Sequence, residues 1–100
     1  MKEYDAVITY IKNNAKGRGN VTPSKTIEGS LGIPGSKIRA FVNEARQTGI
    51  PICSCSSGYY YSDKEADVSE TILHLRSRIS KVEKAIDGLS NLLTYGLNKT

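Results

Sequence analysis

The chain has 100 residues, of which 38% are hydrophobic, and a formal net charge of +4. This length allows one domain plus a short appendage, and the composition argues against wholesale disorder. No apolar stretch approaches the roughly 20 residues that span a bilayer, and the amino terminus lacks the apolar region of a signal peptide, so we expect a cytoplasmic protein with no membrane partner.

The positive charge is concentrated in the first part of the chain. Residues 1–61 contain eight Lys or Arg side chains against four Asp or Glu, whereas residues 62–100 contain six of each. A polyanion would therefore bind the first part. The alternative interpretation is an ordinary solvated surface.

The cysteines and the histidine do not predict a metal site. Cys53 and Cys55 are two residues apart, which is a poor geometry for a disulfide on a strand, and the single His74 is distant in sequence. We expect free thiols, no metal and no cofactor.

The first two predicted helices are short. In residues 4–11 the apolar side chains recur at i, i+3, i+4 and i+7, which predicts a helix with one buried face, and the glycine-containing run 16–20 ends it. Thr22 and Pro23 predict the N-cap and the first position of a second helix. Val21, just before them, can begin a short strand.

A tight turn separates the second predicted helix from a third. Residues 32–35, Gly-Ile-Pro-Gly, end one helix and start the next within four residues, as a helix-turn-helix requires. The third helix is predicted to run to about Thr48, where Gly49 stops it, with an apolar stripe on one side and a polar, basic side opposite. The stripe consists of Ile38, Phe41, Val42 and Ala45, and the opposite side consists of Ser36, Ala40, Asn43 and Gln47, flanked by Arg39 and Arg46.

Two β-prone runs follow the third helix. Residues 50–54 and 58–61 are joined by the small polar residues 55–57, which predicts a β-hairpin. Because side chains alternate along a strand, Tyr59 and Tyr61 share the side opposite to Tyr60. The hairpin can therefore seal the core and still present an aromatic side chain outside.

The last part of the chain has the clearest periodicity. Eight apolar residues, which we call the seam, are separated alternately by four and three positions, and this heptad pattern predicts a long helix that pairs two copies. The β-branched residues favour a parallel pair, in which Arg78 of one copy faces Glu83 of the other. Antiparallel pairing and packing of the helix on its own domain remain open. The seam consists of Val68, Ile72, Leu75, Ile79, Val82, Ile86, Leu89 and Leu93.

Several segments resemble a known family. The stretch LGIPGSKIR at residues 31–39, with VNEARQTGIPI at 42–52 and Gly-Tyr-Tyr at 58–60, looks like the winged helix of biotin operon repressors. It is more similar still to small winged-helix proteins of phages and prophages, and residues 65–89 resemble the tail of those proteins. The resemblance implies a mainly α fold with a small β-hairpin. It divides the chain into a winged helix-turn-helix DNA-binding domain at residues 1–62 and a coiled-coil dimerisation helix at residues 63–97.

The resemblance also implies that the third helix enters the major groove of DNA, with the hairpin near the backbone or the minor groove. By this comparison Ser36, Lys37, Arg39 and Asn43 face the groove. Arg39 and Asn43 are one turn apart, a spacing that suits hydrogen bonds to base edges. Pro34-Gly35 replaces the Ser-Arg pair of the repressors, so one contact at the helix start is missing. No ligase domain follows, and biotin chemistry is not implied.

Other side chains are candidates for phosphate contacts, which hold a protein on DNA without reading its sequence. Among the tyrosines, Tyr60 is the candidate contact from the hairpin, with base stacking as an alternative role. The cationic candidates are Lys16, Arg18, Lys25, Lys37 and Arg46.

These observations predict a non-enzymatic protein. No Ser or Cys has a base nearby in sequence, and no phosphate-cradling loop is present. We expect a homodimer that binds double-stranded DNA as a phage-type regulator of transcription or replication, associated with the bacterial nucleoid. The alternative is an adaptor or inhibitor that uses the same fold and coiled coil to bind a host or replication protein.

Overall fold

Helices dominate the computed structural model, which describes residues 2–96. The predicted fold class, mainly α with a small β-hairpin and a long C-terminal helix, is confirmed. The elements are α1 (Glu3–Asn14), a 3-10 turn (Arg18–Asn20), α2 (Ser24–Leu31), α3 (Gly35–Gln47), β1 (Ile52–Cys55), β2 (Gly58–Tyr61), α4 (Glu65–Asn91) and a π-helical end (Leu92–Gly96).

The core forms where the apolar stripes of the first three helices meet. Val7 and Ile11 of α1, Ile27 of α2, and Ile38 and Val42 of α3 are all at most 1% exposed. Burial of these side chains is the main favourable term in folding a domain of this size. The α3 stripe predicted from the sequence is therefore the side that packs into the core.

Thr22 does not cap α2 as predicted. The helix begins at Ser24 with Pro23 at the N-cap position, while the backbone of Thr22 exchanges two hydrogen bonds with Tyr59, at 2.9 and 3.0 Å. A residue whose backbone is paired with a strand in this way lies outside the first turn of the helix. The short strand expected at Val21 is thus a single bridge at the next residue.

The hairpin has a two-residue turn at Ser56 and Ser57, with Cys53 paired to Tyr60. Cys55, expected in the linker, belongs to β1. The free edge of β2 is covered by the chain before α2, because Tyr61 donates to the carbonyl of Ala15 at 2.7 Å and accepts from the N–H of Gly17 at 2.8 Å. The hairpin is thereby joined to both ends of the loop between α1 and α2.

The first two turns of α4 pack against the hairpin and the loop before α2. Ser62 donates to Asp67 at 2.7 Å, and Arg18 donates to both carboxylate oxygens of Glu70 at 2.6 and 3.0 Å. From Ile72 to Gly96 every residue is exposed except Leu75, which is half-buried. Most of α4 therefore leaves the domain without folding back on it. No described helix is both long and apolar enough to cross a membrane.

Candidate nucleic-acid interface

A groove of about 380 Å³ lies between the outer side of α3, the hairpin turn and the start of α2. Four cationic side chains line it, and no Asp or Glu side chain among the described residues does so. The cations come from three helices: Lys25 from α2, Arg39 and Arg46 from α3, and Arg78 from α4. We call this surface the cationic groove.

Arg39 and Asn43 lie on the outer side of α3, where the sequence placed them. Both are exposed and both line the cationic groove. Because Ile38 and Val42 fix the opposite side of the helix in the core, the orientation of α3 is determined by packing. Arg39 and Asn43 are therefore presented together, one helical turn apart, by a rigid element.

Arg46 connects α3 to the hairpin. Its Nε donates to the carbonyl oxygen of Ile52 at 2.7 Å and its Nη2 donates to the hydroxyl group of Ser54 at 3.1 Å. Partial burial lowers the pKa of Arg46, and the nearby positive charge of Arg78 lowers it further. The guanidinium is thus held in a fixed position in the groove, close to a second cation.

Arg78 is the groove residue that sequence reasoning missed. The heptad pattern placed it beside the seam as a partner for Glu83 of a second copy, and in the structure it lies beside the seam and also lines the cationic groove. Its position depends on how α4 leaves the hairpin, and no local pattern in the sequence reports that direction. Tyr59 and the two turn residues, Ser56 and Ser57, also line the groove.

Acidic side chains lie near the start of α3. Lys37 forms an ion pair with Glu3 at 3.1 Å, and Ser24 donates to the carboxylate of Glu28 at 3.2 Å. A Cβ atom on Gly35 would lie only 2.9 Å from Oε2 of Glu28. Ser36 is exposed in this region, and neither it nor Lys37 lines the groove. The positive charge of α3 is therefore concentrated in its later turns.

Arg18 is engaged elsewhere, and Lys16 lies outside the groove. Besides its two hydrogen bonds to Glu70, Arg18 lies 3.9 Å from Asp67. The Glu70 hydrogen bond raises the pKa of Arg18, and the same bond lowers the pKa of Glu70. Since acidic partners compensate its charge, Arg18 is withdrawn from the candidate interface. Lys16 is exposed beside β2, and its backbone forms a single β-bridge with Tyr61 of that strand.

The expectation for Tyr60 is wrong. Its side chain is 0% exposed, and burial raises the pKa of its hydroxyl group. A tyrosine enclosed in this way cannot reach a phosphate or stack on a base. The neighbouring Tyr59, which points to the other side of β2, lines the cationic groove instead.

The groove suits a ligand with repeated negative charge. Within residues 2–96, no three His, Cys, Asp or Glu side chains lie close enough together to hold a metal ion. Comparison with protein-family models, with curated proteins and with solved structures gives no match in any of the three. A functional interpretation therefore rests on the groove itself.

Proposed function

We propose that this protein binds double-stranded DNA as a homodimer and acts by occupying its site, without chemistry of its own. The observation that carries the proposal is the cationic groove, in which four positive side chains from three helices converge with no carboxylate among them. A DNA duplex carries one negative charge per about 1.7 Å of its axis, so such a groove matches its backbone.

The order of the elements supports a winged-helix mode of binding. Three helices are followed by a hairpin that lies beside the third helix, which is the order of the family that the sequence resembles. The major groove of DNA, about 12 Å wide, admits one helix. In the proposed complex α3 enters it with Arg39 and Asn43 toward the base edges, while Lys25, Arg46 and Arg78 contact phosphates.

The exposed seam supports the dimer. On α4, Ile79, Val82, Ile86 and Leu89 are between 55 and 65% exposed and follow one side of the helix over several turns. Apolar side chains in such a row are stabilised when a second helix covers them. Two copies joined in this way would also bring two cationic grooves to one duplex.

A salt-dependent anisotropy titration on random duplex DNA tests the proposal. If each copy uses three to five cations, log K should fall with log salt at a slope on the order of −5 to −9 for the dimer. Lys25→Ala should weaken binding to all sequences alike, whereas Arg39→Ala should also relax a sequence preference found by selection from a random pool. Absence of binding even at low salt would refute the proposal.

The acidic residues near the start of α3 favour a second candidate function, an adaptor that binds a host or replication protein. Glu3 pairs with Lys37 and Glu28 lies beside Gly35, at the helix start where the family that the sequence resembles has a Ser-Arg pair. The same titration separates the two candidates, because an adaptor would show no affinity for duplex DNA at any salt concentration.

A further inference from the structure

A second groove, of about 240 Å³, lies where α4 leaves the domain. One wall is the loop and strand from Gly49 to Cys53, and the other is the first part of α4, including Val68, Thr71, Ile72 and Leu75. Among the described residues, Arg46 is the one charged residue that lines it. We call it the junction groove. Since three of its residues belong to the seam, the groove lies beside the N-terminal end of the seam and is continuous with it.

The seam is symmetric about its own midpoint. Consider a second copy of α4 that runs in the opposite direction, with the points between residues 80 and 81 of the two helices side by side. Each seam residue of one copy then lies opposite a seam residue of the other. Each of these layers then pairs one a position with one d position, as an antiparallel coiled coil requires. The layers are Val68 with the partner's Leu93, Ile72 with the partner's Leu89, Leu75 with the partner's Ile86, and Ile79 with the partner's Val82.

The junction groove distinguishes the two directions. Thr71 and Leu92 occupy the same heptad position, g, and the hairpin covers the helix on the Thr71 side, where Ser54 donates to the threonine. In an antiparallel pair, g positions face g positions, so the partner's Leu92 would enter the junction groove. In a parallel pair, a g position faces the partner's e position five residues further along the chain. Thr71 would then face the partner's Arg76, and Arg76 would enter the junction groove.

The lining of this groove favours a leucine over an arginine. Leu92 is an apolar residue outside the seam, and 50% of its surface is exposed. The groove is lined mainly by aliphatic side chains. A second arginine there would be desolvated beside Arg46, and like charges in a desolvated site repel strongly. We propose that two copies pair through α4 in the antiparallel direction, with the end of each helix seated in the junction groove of the other.

The antiparallel direction also leaves the cationic groove intact. It places Arg76 opposite the partner's Glu83, twice by symmetry, since both hold e positions. The parallel direction would instead use Arg78 for Glu83, and Arg78 lines the cationic groove. The inference rests on the dimer in the proposed function, and the pairing that it selects keeps Arg78 available for DNA.

Disulfide crosslinking tests the direction. Leu75→Cys and Ile86→Cys are made separately in the full chain and then mixed. In the antiparallel pair these two positions lie in one layer, while each position is about 16 Å along the axis from its own copy, too far for a disulfide. We expect crosslinked dimers in the mixture and none in either variant alone. Self-crosslinking of each variant would overturn the proposal.

Controls keep this result separate from the proposed function. The wild-type chain, whose Cys53 is buried and Cys55 half-buried, is oxidised in parallel, and peptide mapping must locate the bridge at residues 75 and 86. The mass of the wild-type chain in solution reports the dimer, and the duplex titration reports DNA binding. A monomer at every concentration overturns this inference and the dimer, but not DNA binding by the cationic groove.

A second variant pair tests the seat of the helix end. Leu92→Lys places a charge in the proposed junction groove, and Leu73→Lys places the same charge on a residue that is 65% exposed and lies outside the seam. We expect Leu92→Lys to raise the dimer dissociation constant at least tenfold and Leu73→Lys to change it less than twofold. Equal effects of the two substitutions would overturn the proposed seat.

Discussion

Thr71 on α4 accepts a hydrogen bond from the backbone N–H of Ser54 on β1, with 3.2 Å between Oγ1 and N. The same hydroxyl group donates to the carbonyl oxygen of Asp67 at 3.0 Å, and Thr71 is only 5% exposed. The edge of β1 is thus satisfied by a side chain rather than by another strand. This contact is one of those that hold α4 against the hairpin, and the direction of α4 places Arg78 in the cationic groove.

Thr71→Val should destabilise the protein without changing the shape of the side chain. The substitution leaves the N–H of Ser54 without its acceptor in a partly buried position, which costs about 1–3 kcal/mol. Thr71→Ser keeps the hydroxyl group and should cost about 1 kcal/mol or less. Urea denaturation followed by circular dichroism measures both. A loss in Thr71→Ser with none in Thr71→Val would show that the methyl group, not the hydrogen bond, is responsible.

Acid should weaken the attachment of α4 through Glu70. The Arg18 hydrogen bond holds the pKa of Glu70 below its ordinary value, so the folded state binds a proton less readily than the unfolded state. The stabilisation is therefore present above the unfolded pKa and is lost as the pH falls through the folded pKa. Melting temperatures measured from about pH 6 to about pH 3 should fall more steeply for the wild type than for Glu70→Gln.

A double-mutant cycle assigns this acid sensitivity to one contact. In an Arg18→Gln background, Glu70→Gln should no longer change the pH dependence, because the interaction is already absent. If Glu70→Gln has the same effect in both backgrounds, Arg18 is not the cause of the lowered pKa.

Most elements of the first 61 residues follow from the sequence because local signals determine them. The stripe from Ile38 to Ala45 defines α3, and Gly49, with φ of +86°, adopts the left-handed conformation that ends the helix. The side of α3 that bears Arg39 and Asn43 follows from the same periodicity.

The remaining features depend on contacts between distant segments. Threonine is a residue type that often caps helices, but the backbone of Thr22 pairs with Tyr59 and therefore does not cap α2. Strand alternation correctly places Tyr60 opposite Tyr59, yet it does not report that the Tyr60 side is fully buried. Arg78 reaches the cationic groove because of the contacts, that of Thr71 among them, that hold the start of α4 against the domain. Each of these outcomes is decided by tertiary packing, which overrides local preference.

Two glycines should respond differently to alanine. At Gly58, φ is +141°, and a Cβ atom would collide with the backbone carbonyl of Thr22; we expect Gly58→Ala to cost about 2–4 kcal/mol. At Gly35 the Cβ meets only the mobile end of Glu28, and the cost should stay within about 1 kcal/mol. Thermal melts of both variants check this. A mild effect at Gly58 would mean that the loop before α2 does not hold the hairpin.

Arg78→Gln should weaken DNA binding, although Arg78 belongs to the long helix α4 and not to α3. If Arg78 contacts a phosphate, its removal lowers affinity for all sequences alike and reduces the magnitude of the salt slope by about 1 for each copy. Arg76→Gln is the matched control, since it removes the same charge from α4 two residues away, outside the cationic groove.

The comparison is made at protein concentrations where both variants keep the wild-type mass, because a loss of pairing would also weaken binding. Under that condition anisotropy titrations should show a reduced slope for Arg78→Gln and a wild-type slope for Arg76→Gln. If both variants lose the same affinity, α4 acts through its overall charge. In that case the convergence of Arg78 with Arg39 and Arg46 has no role in holding DNA.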